Sequence, residues 1–184
     1  MIHDRSLLDK LSAFSPQVYS GTVFRATRVS ADPIASSING GRWSLPPNGG
    51  ASTDVLYTST TRDGAIAEVV SFLADLNPVP KGGQLKVTEL DVSASQTLTL
   101  VRSDLQNLGV DLTRYGERDY SQTQKIGAAL AFLGFDGLLV PSARWNCDNL
   151  VLFMENHKIA ERLSPLRDEL IDWKKWGEEK GLIR

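Results

Sequence analysis

The sharpest change of hydrophobic pattern along the chain lies between residues 54 and 73. From Asp54 to Ser59 the side chains alternate between two faces, which is typical of a strand. From residue 60 onwards the apolar positions recur at helical spacing, and Thr60 with Asp63 resembles a capping box. The apolar arc of this helix contains Ala65, Ile66, Val69, Val70, Phe72 and Leu73. The segment therefore predicts a strand followed by an amphipathic helix.

Glu68 lies at the edge of that apolar arc. Because helical side chains tilt toward the helix N-terminus, its carboxylate is predicted to point back toward the mouth of the preceding strand, partly buried. The alternative is a boundary glutamate on a solvated flank, which is the usual environment of this residue type. The segment alone leaves both interpretations open.

The rest of the chain contains segments with the alternation of strands and segments with the apolar spacing of helices. The predicted helices are Met1 to about Leu11, a helix that begins after Ser121 and stops at Gly134, and a C-terminal helix over about residues 165–180. Ser121 is predicted to cap the second of these helices, in a capping box with Gln124. The predicted strands are Gly21 to Arg28, Leu85 to Val92, a short extended piece from Gln96 to Leu100, Gly137 to Pro141 and Leu150 to Phe153. Residues 30–53 are predicted to form a long loop, and residues 105–120 a loop with short helical turns and a solvated charged face.

The C-terminal helix is predicted from a serine cap followed by Pro165 at the first helical position. Leu166, Leu170 and Trp173 would then share one apolar face. Trp173 and Trp176 are expected to close the core, because a helix-spaced apolar stripe most often faces its own domain. Docking of a partner is the alternative.

Composition indicates the size and class of the protein. The chain has 184 residues, of which 41% are hydrophobic and 23% charged, as expected for a single globular domain over residues 1–184. The formal net charge of -2 and the sequence pI of about 5.7 argue against direct binding of nucleic acid. The N-terminal segment is charged and has no long apolar run, so neither a secretory signal nor a membrane span is predicted, and the expected location is the cytoplasm.

Cysteine and histidine are scarce in this sequence. Cys147 is the single cysteine, which excludes an internal disulfide, and His3 and His157 are too few for a zinc-type cluster. Cys147 is most simply a small, buried or half-buried thiol. A nucleophilic pair of Cys147 with His157 is the alternative.

Several polar residues occupy positions where binding sites form. Arg25 lies in the first predicted strand, where the alternative is a surface arginine on an edge strand. Arg42 and Trp43 lie in the long loop and suit closure over a planar, anionic ligand, although Trp43 could instead pin the loop to the core. Ser142 and Asn149 lie in the turn between two apolar strands, a good location for a site, although serine after proline is more often a turn or cap hydroxyl.

Five short segments follow one another in a distinctive order along the chain. They are Arg25 after GTVF, Gly41-Arg42-Trp43, Leu56-Tyr57, Ala65 to Glu68, and Pro141-Ser142-Ala143 before Asn149-Leu150-Val151-Leu152-Phe153. This order resembles that of the RES domain family, and the resemblance covers about Gly21 to Phe153. The arginine, glutamate and serine after which the family is named correspond to Arg25, Glu68 and Ser142. One departure is Ala26, where some relatives have an aromatic residue.

The resemblance implies an α+β fold of mixed, mostly antiparallel strands with flanking helices, similar to the ADP-ribosyltransferase toxins. It also implies a bacterial toxin that degrades NAD+ and is neutralised by an antitoxin with an Xre-type helix-turn-helix region. NAD+ would be the substrate, and no further cofactor is implied. The implied catalytic residues are Glu68, Arg25 and Ser142, and the implied substrate-binding residues are Arg42, Trp43, Tyr57 and Asn149.

These residue types suit cleavage of the bond from nicotinamide to ribose. Guanidinium groups bind pyrophosphate, and the faces of Tyr57 and Trp43 suit the nicotinamide ring. Cleavage builds positive charge on the ribose, which a carboxylate such as that of Glu68 stabilises. Because nicotinamide leaves as a neutral ring, neither a general acid nor a metal is required.

Three hypotheses follow from the sequence. NAD+ hydrolysis or phosphorolysis is the first, and the sequence does not choose between water and phosphate as acceptor. Mono-ADP-ribosylation of a protein is the second, and a non-enzymatic nucleotide-binding module is the third. A nuclease is disfavoured because the chain has no excess of basic residues, and because it lacks a metal-binding carboxylate cluster and a catalytic histidine pair.

Overall fold

The structure, a computed structural model, describes residues 4–37, 39–46 and 53–183. Its helices are α1 (Arg5–Ser12), α2 (Arg62–Ala74), α3 (Arg102–Asn107), α4 (Ser121–Phe132) and α5 (Trp173–Glu179). Its strands are β1 (Gln17–Arg28), β2 (Val55–Ser59), β3 (Gln84–Thr99), β4 (Gly137–Pro141), β5 (Asp148–Phe153) and β6 (Leu163–Asp172). A 3-10 helix, Ile159–Arg162, leads into β6.

The six strands form one sheet in the order β1-β2-β5-β4-β3-β6, and β1 also pairs with β3. The long strand β3 pairs antiparallel with both β1 and β6, and its last residues, Thr97 to Thr99, pair parallel with β4. The pairs β1 with β2, β2 with β5, and β4 with β5 are antiparallel. The prediction of mixed, mostly antiparallel strands with flanking helices is confirmed.

Two separate clusters of buried side chains hold the helices against the sheet. Leu11 of α1, Leu105 of α3 and Ile126 of α4 are fully buried in one cluster together with β4 and β5 residues. In another cluster, Ile66 and other apolar residues of α2 pack with the side chains of α5. This second packing fixes α2, the helix that contains Glu68, between α5 and the first two strands.

The C-terminal segment was predicted wrongly over most of its length. Residues 163–172 form the edge strand β6, which pairs with β3, and only Trp173–Glu179 is helical. Pro165 is compatible with this strand because β6 is at the edge of the sheet and a register irregularity falls beside it, and proline is tolerated in sheets at edges and bulges. Leu166 and Leu170 are therefore 56% and 53% exposed instead of buried. The expectation that the two tryptophans close the core is confirmed, since they are 3% and 8% exposed.

Smaller differences concern the ends of elements. α2 is capped by Thr61, whose hydroxyl accepts a hydrogen bond from the N–H of Gly64 at 3.1 Å, and not by Thr60 as predicted. Ser121 is the first residue of α4 and not its cap. The two extended pieces predicted over residues 85–100 are one continuous strand, β3. Phe72, predicted in the buried arc of α2, is 51% exposed.

Candidate active site

A cavity of about 470 Å³ lies between β1, β2, α2 and the loop around residues 40–43. Six of the seven site residues predicted from the sequence lie on its wall, and the seventh, Ser142, lies behind Glu68. The wall includes Phe24, Arg25, Arg42, Trp43, Tyr57, Ser59, Glu68, Val69, Phe72, Arg118, Tyr120, Arg144 and Asn149. The fold therefore brings together segments that are far apart in the sequence.

Glu68 is held by two neutral hydrogen-bond donors. Its Oε1 accepts from the hydroxyl of Ser142 at 2.8 Å and from Nδ2 of Asn149 at 2.7 Å. Asn149 is oriented in turn, because its Oδ1 accepts from the hydroxyl of Ser59 at 2.6 Å. These bonds connect helix α2 to strand β2, to strand β5 and to the turn between β4 and β5. They fix the direction of the carboxylate. The interpretation of Glu68 as a boundary glutamate on a solvated flank does not describe this environment.

Ser142 supports Glu68 and also closes the turn between β4 and β5. Ser142 is 2% exposed and is not among the residues that line the cavity. While donating to Glu68, its Oγ accepts from the backbone N–H groups of Arg144 at 3.0 Å and Trp145 at 3.1 Å. Ser142 is therefore a turn hydroxyl, and the same oxygen also donates to Glu68.

Arg25 extends from β1 to the cavity wall, and its guanidinium donates to the backbone carbonyl of Pro33 at 3.1 Å. Burial lowers the pKa of Arg25 to about 10, and the nearby charge of Asp32 opposes that change. The group is still protonated at neutral pH. A buried guanidinium held by a neutral carbonyl retains its charge for an anionic ligand.

Arg42 is held by aromatic rings and backbone carbonyl groups. Its guanidinium carbon lies 4.8 Å from the ring centre of Tyr115 and 4.6 Å from that of Tyr120. It donates to the carbonyl of Tyr115 at 2.6 Å and to that of Glu117 at 3.3 Å. Burial lowers its pKa. Arg42 therefore connects its own loop to the segment before α4 while keeping its charge at the cavity.

Tyr57 holds the same loop from the β2 side. Its hydroxyl accepts from the N–H of Trp43 at 3.1 Å and shares a hydrogen bond with the hydroxyl of Ser44 at 2.9 Å. Gly41 permits this approach, because a Cβ atom there would lie 2.5 Å from the Tyr57 hydroxyl. The Trp43 side chain is only 2% exposed and belongs to the core. Trp43 thus pins the loop, which was the alternative to direct binding by its ring.

We expect Tyr57→Phe to lower the free energy of unfolding by about 1 to 2 kcal/mol, because it leaves the N–H of Trp43 without its acceptor. Denaturant unfolding measures this change, and hydrogen exchange of the Trp43 amide locates it. Tyr19→Phe is the matched control, since the Tyr19 hydroxyl has no hydrogen bond with the described part of the chain. Unchanged stability and unchanged exchange at Trp43 would contradict this role of the Tyr57 hydroxyl.

The prediction of a solvated charged face for residues 105–120 is wrong at its C-terminal end. Arg118 and Tyr120 line the cavity, and Tyr115 stacks on Arg42. Arg118 also pairs with Asp75 just after α2, which ties this segment to the other side of the cavity. The signal available in the sequence was the pair of tyrosines, which is unusual in a solvated charged run.

The structure does not bring Cys147 and His157 together as a nucleophilic pair. The His157 ring bonds the carbonyl of Gly134 at 2.8 Å, whereas the Cys147 thiol lies beside Thr61 and Ser142. Burial raises the pKa of Cys147, which disfavours the thiolate. Within the described ranges, no group of three or more His, Cys, Asp or Glu residues is placed to hold a metal ion. No helix in those same ranges has the length and apolar character needed to cross a membrane.

Comparisons with known proteins agree with this geometry. A chain in the crystal structure of the M. tuberculosis MbcT-MbcA toxin-antitoxin complex is similar in fold, with a TM-score of 0.80 and 20% sequence identity, over 97% of this chain and 98% of that chain. A comparison with curated proteins found no match. The family model described as RES domain matches residues 22–174, which includes every predicted site residue and extends into α5. The chain therefore belongs to the RES domain family.

Proposed function

We propose that this protein is the toxin of a toxin-antitoxin pair and that it degrades NAD+ by cleaving the bond between nicotinamide and ribose. The observation that carries the proposal is the setting of Glu68, whose carboxylate lies on the cavity wall and is held by two neutral donors. Within the described residues it forms no ion pair at 4.0 Å or less. Its negative charge is therefore available to a ligand.

The proposed role of Glu68 follows from how charge develops in the reaction. As the nicotinamide bond breaks, positive charge grows on the ribose, and a fixed carboxylate stabilises that state more than the ground state. Oε1 accepts both internal hydrogen bonds, so Oε2 is the oxygen available to the ribose. Nicotinamide leaves as a neutral ring, and no metal, cofactor or general acid is needed for its departure.

The other wall residues fit the remaining parts of NAD+. Arg25 and Arg42 are oriented by backbone carbonyl groups that do not neutralise them, as binding of pyrophosphate requires. The ring of Tyr57 lies on the cavity wall and is assigned to the nicotinamide. Asn149 acts through Glu68, and Trp43 acts through the loop that it anchors.

The direct test is the release of nicotinamide from NAD+ by purified protein freed of any partner, followed by chromatography. We expect release, together with a product that identifies the acceptor. Free ADP-ribose indicates water, ADP-ribose 1-phosphate indicates phosphate, and label transferred to protein indicates mono-ADP-ribosylation instead of degradation. NAD+ binding without release would identify a non-enzymatic module, and the absence of both would contradict the proposal.

An antitoxin partner is the second part of the proposal. The similar fold in the MbcT-MbcA complex comes from a toxin-antitoxin pair, and we propose an antitoxin with an Xre-type helix-turn-helix region for this chain. Its action would be cytoplasmic, where NAD+ is used. Co-expression of the antitoxin is expected to restore growth, and the complex is expected to release little nicotinamide because a partner segment blocks the cavity. A complex that leaves NAD+ turnover unchanged would contradict this mode of inhibition.

A further inference from the structure

The four arginines on the cavity wall differ in how far their charges are already neutralised. Arg118 is ion-paired with Asp75. Arg25 and Arg42 are held by neutral carbonyl groups. The guanidinium of Arg144 forms neither a hydrogen bond nor an ion pair within the described part of the chain. A cation without a protein partner in a cavity indicates an anionic ligand.

Arg144 is held in place at its backbone. Its N–H donates to the Oγ of Ser142 at 3.0 Å, the same atom that supports Glu68. The side chain starts from this fixed point and reaches the wall that Arg42 also lines. The charge of Arg144 lowers the pKa of Arg42, in addition to the larger effect of burial, because the two cations repel each other. An anion between them would relieve that repulsion.

The charges on the wall indicate the class of this anion. Arg25, Arg42 and Arg144 have no carboxylate within 4.0 Å among the described residues, and Glu68 is the one acidic residue among those that line the cavity. Three cations against one anion match a ligand group with two negative charges. A pyrophosphate diester has this charge at neutral pH, and arginine forks bind its oxygens in a bidentate manner.

We infer that Arg144 is a specificity-determining residue that binds the pyrophosphate together with Arg42, so that the site selects a dinucleotide over a nucleoside. This inference rests on the proposed cleavage of NAD+ and deepens it. Because the Arg144 backbone bond to Ser142 does not depend on the side chain, substitutions at residue 144 remove the guanidinium and leave the support of Glu68 in place.

Arg144→Ala is expected to raise the KM for NAD+ roughly 10-fold to 100-fold, the usual effect of losing hydrogen bonds to a charged group, while kcat changes by less than about 3-fold. With nicotinamide riboside, which has no phosphate, kcat/KM should be unchanged, so the preference for the dinucleotide falls by the same factor. Arg162→Ala is the matched control, because it removes one charge at an exposed position outside the cavity. An unchanged preference for NAD+ over nicotinamide riboside would overturn the inference.

Binding measured without turnover separates this inference from the proposed reaction. Calorimetric titration with ADP-ribose is expected to show roughly 10-fold to 100-fold weaker binding by Arg144→Ala than by the unaltered protein or Arg162→Ala, with Arg144→Lys in between. Equal affinity in all four proteins would overturn the role of Arg144, even if NAD+ is cleaved. Selective weakening in a protein that releases no nicotinamide would support the anion site and contradict only the reaction. An unaltered protein that does not bind ADP-ribose would overturn the inference.

Discussion

Glu68→Gln is expected to lower kcat for nicotinamide release by about 100-fold to 1000-fold while the protein still binds ADP-ribose. Glutamine has the same shape and keeps an oxygen that accepts hydrogen bonds from Ser142 and Asn149 at the position of Oε1. The variant therefore removes the negative charge and little else. Because positive charge develops on the ribose only as the bond breaks, loss of the carboxylate affects the transition state more than binding.

The measurement is single-turnover release of nicotinamide, with ADP-ribose affinity determined in parallel. Glu155→Gln is the matched control, since Glu155 is exposed and lies outside the cavity. We expect this control to behave as the unaltered protein does. A Glu68→Gln protein that retains full kcat would show that the carboxylate does not stabilise the reacting ribose, and the proposed mechanism would fail with it.

Local periodicity was sufficient to predict the elements that carry the candidate site. The alternation in β2 and the helical spacing in α2 are properties of neighbouring residues, and both predictions are close to the observed bounds. The tilt of helical side chains toward the N-terminus placed Glu68 near the end of β2. In the structure that carboxylate is indirectly connected to Ser59, the last residue of β2, through Asn149. Local rules therefore gave the place of Glu68, although not its partners.

Features that depend on contacts between distant parts of the chain could not be predicted from local periodicity. β6 was mistaken for a helix because its serine and proline match a helix start, and its strand state depends on pairing with β3, about 80 residues earlier in the chain. The aromatic rings around Arg42 come from the charged segment before α4, which has no periodicity that relates it to the loop. Arg144 lies in the turn that the sequence predicts between two apolar strands, but that its guanidinium has no partner among the described residues is visible only in three dimensions.

In the candidate site, the carboxylate of Glu68 and the loop that contains Arg42 are held by different contacts. Hydrogen bonds from Ser142 and Asn149 fix the carboxylate of Glu68 to the sheet. The loop with Arg42 is instead held by Tyr57 on one side and by the segment before α4 on the other. Separate sets of contacts therefore position the carboxylate of Glu68 and the guanidinium of Arg42, and variants in one set should leave the other intact.

Ser142→Ala is the substitution for which we expect a large change in both stability and turnover. The Oγ atom is buried and makes three hydrogen bonds, so its loss leaves the N–H groups of Arg144 and Trp145 without an acceptor. We expect the free energy of unfolding to fall by about 2 to 4 kcal/mol, as buried donors lose their partners. We also expect kcat to fall by about 100-fold, because Glu68 keeps only its bond from Asn149 and is no longer fixed.

Ser95→Ala is the control that separates the loss of stability from the loss of kcat. The Ser95 hydroxyl also donates to a carboxylate, that of Asp136 at 2.9 Å, but this pair lies outside the cavity. This control should lose stability by about 1 kcal/mol without a change in kcat. In a double variant of Ser142→Ala with Glu68→Gln, kcat should be close to that of Glu68→Gln alone, because Ser142 acts on catalysis through that carboxylate. Independent, multiplying losses of kcat would show that Ser142 acts on the substrate by a route that does not pass through Glu68.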